Sequence, residues 1–162
     1  MKTTKPTEGI VLPKLNLQNL EITLVGDSPL ISNAWSEKAR RVMLARQMKK
    51  AQQAKEAKDP EKDYTASLYP HPGGGYGFPA IAFKSAAVNA CSHVDGVTKV
   101  AARGAFHISE ELVRINGKPT PREDMVRVGM GVADIRYRGQ FAKWSATFVI
   151  TFNANVLSAE QI

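Results

Sequence analysis

Apolar and polar residues alternate along 145–153, where Ala146, Phe148, Ile150 and Phe152 are spaced by Thr147, Val149 and Thr151. A period of two predicts a strand with one face in a core. The same period runs through Leu20, Ile22 and Leu24 and breaks at Gly26-Asp27-Ser28-Pro29, so a first strand leaves the core into a turn. The stretches AFHI, LVRIN, MVRVG and VADIRYRG read as further strands, with GKPTP as a turn after LVRIN.

Between the first strand and this β-rich part the pattern changes. Residues 36–58 are strong helix formers, opened by Ser36 as a cap and closed by Pro60, and predict one long helix. About 22 residues at 1.5 Å each would reach roughly 33 Å, beyond a small domain. Its apolar residues (Ala39, Val42, Met43, Met48) lie in the first half. The connector YPHPGGGYGFP is rich in glycine and proline and reads as a hairpin or hinge. A second helix is expected from about Pro79 to Ser92, with Ile81, Val88 and Cys91 on a buried face among small alanines. Ser158 with Gln161 three residues on marks the start of a last helix. Residues 1–17, interrupted by Pro6, Gly9 and Pro13, read as an extended arm. No internal repeat is present. The order of elements predicts an α+β fold in which an antiparallel sheet carries helices on one face, of which the split βαβ or ferredoxin-like arrangement is one case.

The chain has 162 residues, the size of one domain, and a net charge of +7, which favours polyanionic partners. A single cysteine, Cys91, cannot form an internal disulfide, and no run approaches the length of a membrane span. The N-terminus lacks the continuous apolar stretch of a signal peptide. The expectation is a cytoplasmic protein of a bacterial or viral system, without a membrane partner.

Candidate chemistry is sparse. The three histidines (His71, His93, His107) are scattered, and Cys91 with His93 alone does not make a metal site. No G-x-S-x-G elbow occurs, and His107 as a general base has no supporting local motif, so no catalytic residue, metal or cofactor is assigned. The string GGGYGFP is neither a phosphate loop nor a dinucleotide fingerprint. It reads as a hinge or as bare backbone that lays Tyr76 or Phe78 against an unpaired base. The basic residues form three groups: the long helix, with Lys49 and Lys50; the second helix and its surroundings, with Lys84, Lys99 and Arg103; and the β-rich part, with Arg136 and Arg138. On the helix a charge run reads equally as a solvated face. A lysine inside an alanine-rich helix either reaches solvent or meets an anion. In DIRYRGQFAKW, cations alternate with aromatics as in single-strand binders, although Phe141 and Trp144 serve equally as core residues.

LEITLVGDSPLISN followed by FPAIAFKSAAVNA resembles the RAMP superfamily of CRISPR-associated proteins, in which a first strand runs into an S-P-L turn and a later proline, with a lysine five residues on, opens the first helix. Pro79 and Lys84 match that spacing, whereas Ala80, Ala82, Ser85 and Ala86 match only partly the family's Gly-Ser-Ser and Gly around the lysine. The overall text is similar to proteins of tailed phages and prophages. The resemblance spans about residues 20 to 108. It implies a ferredoxin-like, RAMP-like domain over residues 18–162, with a helical insertion at about 36–72 through which subunits touch neighbours and RNA. The superfamily's glycine-rich loop follows the second helix, where this sequence stops, so the expected domain is cut short of it. The function implied is non-catalytic binding of single-stranded RNA, or DNA, by a homo-oligomer or filament that other effector subunits join, with Lys84 on a phosphate. Two alternatives stand beside it: a phage structural or assembly protein, and a single-strand annealing recombination protein.

Overall fold

The computed structural model describes residues 14–51 and 57–162. The period-two stretch of 145–153 is the centre of the first sheet. There β9 (Ser145–Asn153) pairs antiparallel with β1 (Leu17–Val25) along nine residues and, on its other edge, with β5 (Phe106–Ile108). Ala146, Phe148, Ile150 and Phe152 are buried, and Leu20 and Ile22 of β1 lie beside Ile150 and Phe148 on the same face. A second sheet orders β2 (Leu30–Ser32), β8 (Ala133–Phe141) and β7 (Pro119–Arg127), and a third orders β3 (Tyr69–Pro70), β4 (Tyr76–Pro79) and β6 (Leu112–Ile115). An isolated bridge between Asn116 and Ser145 joins the third sheet to the first.

This arrangement overturns the ferredoxin-like expectation. Instead of one antiparallel sheet with helices on one face, the described residues form three small antiparallel sheets with four α-helices. The reason is local. The Gly26–Pro29 turn diverts the chain, so that β2 joins β8, and β8 spends its length on the β7 ribbon before residues 142–144 deliver the chain to β9. Trp144 holds the turn: its indole N–H donates to the Ser28 carbonyl at 2.9 Å, and the Gly26 N–H donates to the Trp144 carbonyl at 2.9 Å. A Cβ on Gly26 would stand 2.0 Å from the indole nitrogen, so the glycine makes room for the ring.

The long helix is also corrected. Ser36 caps as expected, its hydroxyl accepting from the Ala39 N–H at 3.2 Å, but α1 runs only from Glu37 to Gln47, roughly 16 Å. Lys49 takes φ 53 and the Lys50 N–H donates to the Ala45 carbonyl, the backbone closure that usually uses glycine. A lysine can adopt it at a cost of about 1 kcal/mol, and no glycine marks the stop in the sequence. Pro60 opens a new helix: α2 (Pro60–Ala66) has Asp59 as its cap and proline in its first turn.

The connector folds as the hairpin β3–β4, and α3 (Ala80–Ala90) follows with Ala80 and Val88 buried. Ile81, expected inside, is exposed. The helix α4 (Lys99–Ala105), capped by the Thr98 hydroxyl, was not foreseen; it packs on α3 and β5 and buries Ala102 and Ala105. The Ser158–Gln161 capping box is formed, on a short 3₁₀ turn. Of the predicted arm, residues 1–13 lie outside the described residues. Lys14 and Asn16 instead accept hydrogen bonds from Asn155 and Ala154, and Leu17 already belongs to β1.

Ser67 joins α2 to the second sheet. Its hydroxyl donates to the Tyr64 carbonyl at 2.6 Å and accepts the Gly139 N–H at 2.8 Å, while its carbonyl accepts from the Ser32 hydroxyl and the Ala34 N–H. Ser67→Ala leaves the buried Gly139 N–H without its acceptor, which costs about 1–3 kcal/mol. Urea denaturation is expected to register that loss in the midpoint with an unchanged slope.

Candidate nucleic-acid interface

Lys84 lies in the second turn of α3, in the segment that follows the β3–β4 hairpin. Its ammonium stands 5.6 Å from the centroid of the Phe106 ring and 3.4 Å from Nδ1 of His107. The helix crosses β5, so residues 23 positions apart meet. Together they line a cleft of about 470 Å³ that includes Tyr69, Ile81, Glu110 and Glu111. The Ala80 N–H donates to the Glu111 carbonyl, and Pro79 offers no side-chain cap. The cleft thus holds one lysine, Lys84, together with two carboxylates, Glu110 and Glu111.

Ion pairing sorts the remaining cations. Lys84, Lys99, Arg103, Lys49 and Lys50 have no carboxylate partner among the described residues, and all but Lys84, which is half-buried, are exposed. Lys99 and Arg103 lie on α4, whose chain leads directly into Phe106 and His107. Lys49 and Lys50 end α1, on a separate element.

Arg136 and Arg138 are occupied. Arg138 reaches Asp124 at 3.3 Å, which Arg122 also contacts at 2.7 Å, and Arg136 approaches Asp134 at 3.7 Å. The Arg122 hydrogen bond, helped by the charge of Arg138, holds the Asp124 carboxyl below its usual range; Lys58 does the same for Asp134. Lys58 also donates to the Ile135 carbonyl. These pairs fix the β7–β8 ribbon more than they offer charge to a ligand.

Comparison with protein families, curated proteins and solved structures finds no match. The reading therefore rests on this chain's own geometry.

The aromatic candidates face inward. Tyr76 meets Phe141 edge-on at 6.3 Å, and Phe78 lies between Tyr69 at 6.1 Å and Phe83 at 5.8 Å. Trp144 and Phe141 are likewise structural, the first at the Gly26 turn and the second fully buried. Tyr69 and His107, which do reach the cleft, carried no sequence motif that set them beside Lys84. Among the described residues no cluster of three or more His, Cys, Asp or Glu could hold a metal, and no helix is long and apolar enough to cross a membrane.

Proposed function

We propose that this protein is a non-catalytic, single-stranded nucleic-acid-binding protein, RNA before DNA, that oligomerises along its ligand. The observation that carries the reading is the Lys84 ammonium, without a carboxylate partner among the described residues, in a cleft that Tyr69 also lines. A phosphate at Lys84 gains a charge-assisted hydrogen bond, and Tyr69 offers a face to an unpaired base. Lys99 and Arg103 on the adjoining α4 extend the positive field along a strand's backbone. Lys49 and Lys50 supply a second basic point at the end of α1. The resemblance to the RAMP superfamily, carried by the S-P-L turn, Pro79 and Lys84, belongs to the same proposal.

The test is fluorescence anisotropy with labelled single-stranded RNA, single-stranded DNA and duplex DNA over a salt series. Expected is binding to the single-stranded RNA that weakens steeply with salt, because neutralised phosphates release counterions. No binding at low salt overturns the reading. A second reading, assembly without nucleic acid, is favoured by the apolar side chains that α1 and the ribbon leave in solvent. It predicts assemblies that survive nuclease treatment and carry no excess absorbance at 260 nm.

A further inference from the structure

The first sheet ends in a long bare edge. β9 is its middle strand, β5 takes three residues on one side, and β1 forms the other side with no strand beyond it among the described residues. The bonds from the Ala154 N–H to the Asn16 carbonyl and from the Gly26 N–H to the Trp144 carbonyl fix the phase of the ladder. Even-numbered residues of β1 bond to β9, so the N–H and C=O groups of Leu17, Asn19, Glu21, Thr23 and Val25 point to the bare edge.

Folded chains blunt such an edge with proline, charge, a bulge or a short strand. The outer strand of the ribbon, β7, carries Pro119 and Pro121 and the charged run Arg122, Glu123 and Asp124, and β2, β3 and β5 are only two or three residues long. β1 has none of these devices. It runs nine residues in one-to-one register with β9, without proline or glycine, and Glu21 is its single charge. Its core face is unfinished as well. Leu20 and Ile22 are half-buried and Leu24 is 36% exposed, although their cross-strand neighbours Ile150, Phe148 and Ala146 are buried. A further strand on the bare edge would lie alongside those three side chains.

We propose that the covering strand is β1 of a second copy, antiparallel to the first across a two-fold axis at Ile22. The sequence of β1 selects both partner and register. Only odd-numbered residues bond across this edge, so a two-fold pairing matches odd with odd. An axis at Glu21 sets the two Glu21 carboxylates opposite each other, like charges in direct register. An axis at Leu20 sets Gln18 against Ile22 on the core face, and axes nearer either end pair fewer residues. The axis at Ile22 sets Glu21 against Thr23 and Asn19 against Val25, and on the core face Leu20 against Leu24 and Ile22 against itself. Leu20, Ile22 and Leu24 of both copies then form one apolar row, and the outward backbone groups of residues 19, 21, 23 and 25 are satisfied. Charge favours the same partner: a chain of net charge +7 repels its own copies, and β1 carries no cation. The contact specifies the oligomerisation proposed above and rests on that part of the reading. It is isologous and closes. At about 4.8 Å per strand, the two β5 edges, each with its Lys84 cleft, lie roughly 24 Å apart at the outer ends of one continuous sheet, so the unit that multiplies along a ligand is a dimer.

The test uses nuclease-treated full-length protein in sedimentation velocity over a concentration series. Wild type is expected to pass from the 17.7 kDa monomer to a species of twice that mass. Thr23→Lys sets a cation opposite Glu21 twice in the pair and is expected to tighten the dimer about two- to thirtyfold; Thr23→Glu is expected to weaken it over the same range. Both variants give up the same hydroxyl contact with Thr147, so damage to the monomer would move them together. Net charge alone would give the reverse order, since lysine adds to the repulsion between copies and glutamate relieves it. A cysteine trap reads the register in a Cys91→Ala background. Ile22→Cys is expected to form a disulfide-linked dimer under mild oxidation, because a non-hydrogen-bonded pair on the axis holds its Cα atoms about 4.5 Å apart. Leu17→Cys, more exposed but far from the axis, is expected to link far more slowly. Circular dichroism verifies that each variant folds. Wild type that stays monomeric at every concentration overturns the contact, as do folded Thr23 variants that shift association in the same direction or not at all, or a trap that forms at Leu17 as fast as at Ile22. Monomeric wild type whose Asn19, Glu21 and Thr23 amides resist hydrogen exchange, and lose that protection when residues 1–13 are removed, would assign the edge to this chain's own N-terminal segment and also overturn it. Anisotropy with labelled single-stranded RNA separates the two readings: a monomer that binds RNA sinks only the contact, whereas an Ile22-trapped dimer and a wild type that both fail to bind RNA sink only the nucleic-acid reading.

Discussion

Lys84→Ala is expected to weaken binding of single-stranded RNA by about tenfold or more, because a hydrogen bond to a charged group contributes about 1.5–3 kcal/mol. The slope of log affinity against log salt should fall by about 0.7, the loss of one phosphate contact on a single strand. Anisotropy titrations of wild type and variant at several salt concentrations measure both quantities. The two readouts together separate a direct contact from an indirect one. Loss of the contact between the ammonium and the Phe106 ring costs at most about 1 kcal/mol of stability, which a melting curve detects, and leaves the salt slope untouched. Lys62→Ala serves as the reference, since Lys62 is exposed and paired with Asp59 at 3.1 Å, and its removal should alter neither affinity nor slope. A folded Lys84→Ala protein with wild-type affinity and wild-type slope would remove Lys84 from the interface.

Those expectations depend on a part of the molecule that a linear reading reaches only halfway. Lys84 stood out because a cation in an alanine-rich helix needs an explanation, and that logic is local. Its neighbours His107 and Tyr69 are brought in by the packing of α3 on β5 and by the β3–β4 hairpin, contacts between distant residues that no spacing encodes. The same division runs through the fold. The alternation of β9, the caps Ser36 and Ser158, and the breaks around Gly26 and Gly73–Gly75 are local, and each element forms where its pattern lies. Strand pairing is not local. A period of two says that a strand has a buried face but not which edge it joins, and three sheets emerged where one was expected. The end of α1 escaped notice because a lysine, not a glycine, takes the left-handed position. Tyr76 and Phe78, which suit base stacking by composition, are half-buried with their rings against Phe141 and Phe83, and Phe141 takes the core role that the sequence left equally open.

Phe141→Ala is expected to cost about 3–5 kcal/mol, the range for truncating a buried phenylalanine. Its ring is fully buried, and its backbone lies between Leu30 on one side and Pro119 on the other. The Tyr76 ring of the third sheet meets it edge-on, and a Cβ on Gly117 would stand 3.4 Å from its Cδ1. Residues 142–144 then carry the chain into β9, so this one side chain sits where all three sheets converge. A loss of that size is a large part of the roughly 5–15 kcal/mol that hold an ordinary domain together, and thermal unfolding should drop by at least about 6 °C at 2–4 °C per kcal/mol. Phe141→Leu, which keeps most of the volume, should cost far less. The shape of the transition matters as much as its midpoint. If the three sheets share one core, the variant unfolds in a single step followed identically by far-ultraviolet dichroism and by tryptophan fluorescence, read in a Trp35→Phe background so that Trp144 alone reports. A cost below about 1 kcal/mol, or two separated transitions in the wild type, would mean that the β7–β8 ribbon and its small sheet fold apart from the sheet that carries β9, and that the Lys84 cleft, built on α3 and β5, does not need them.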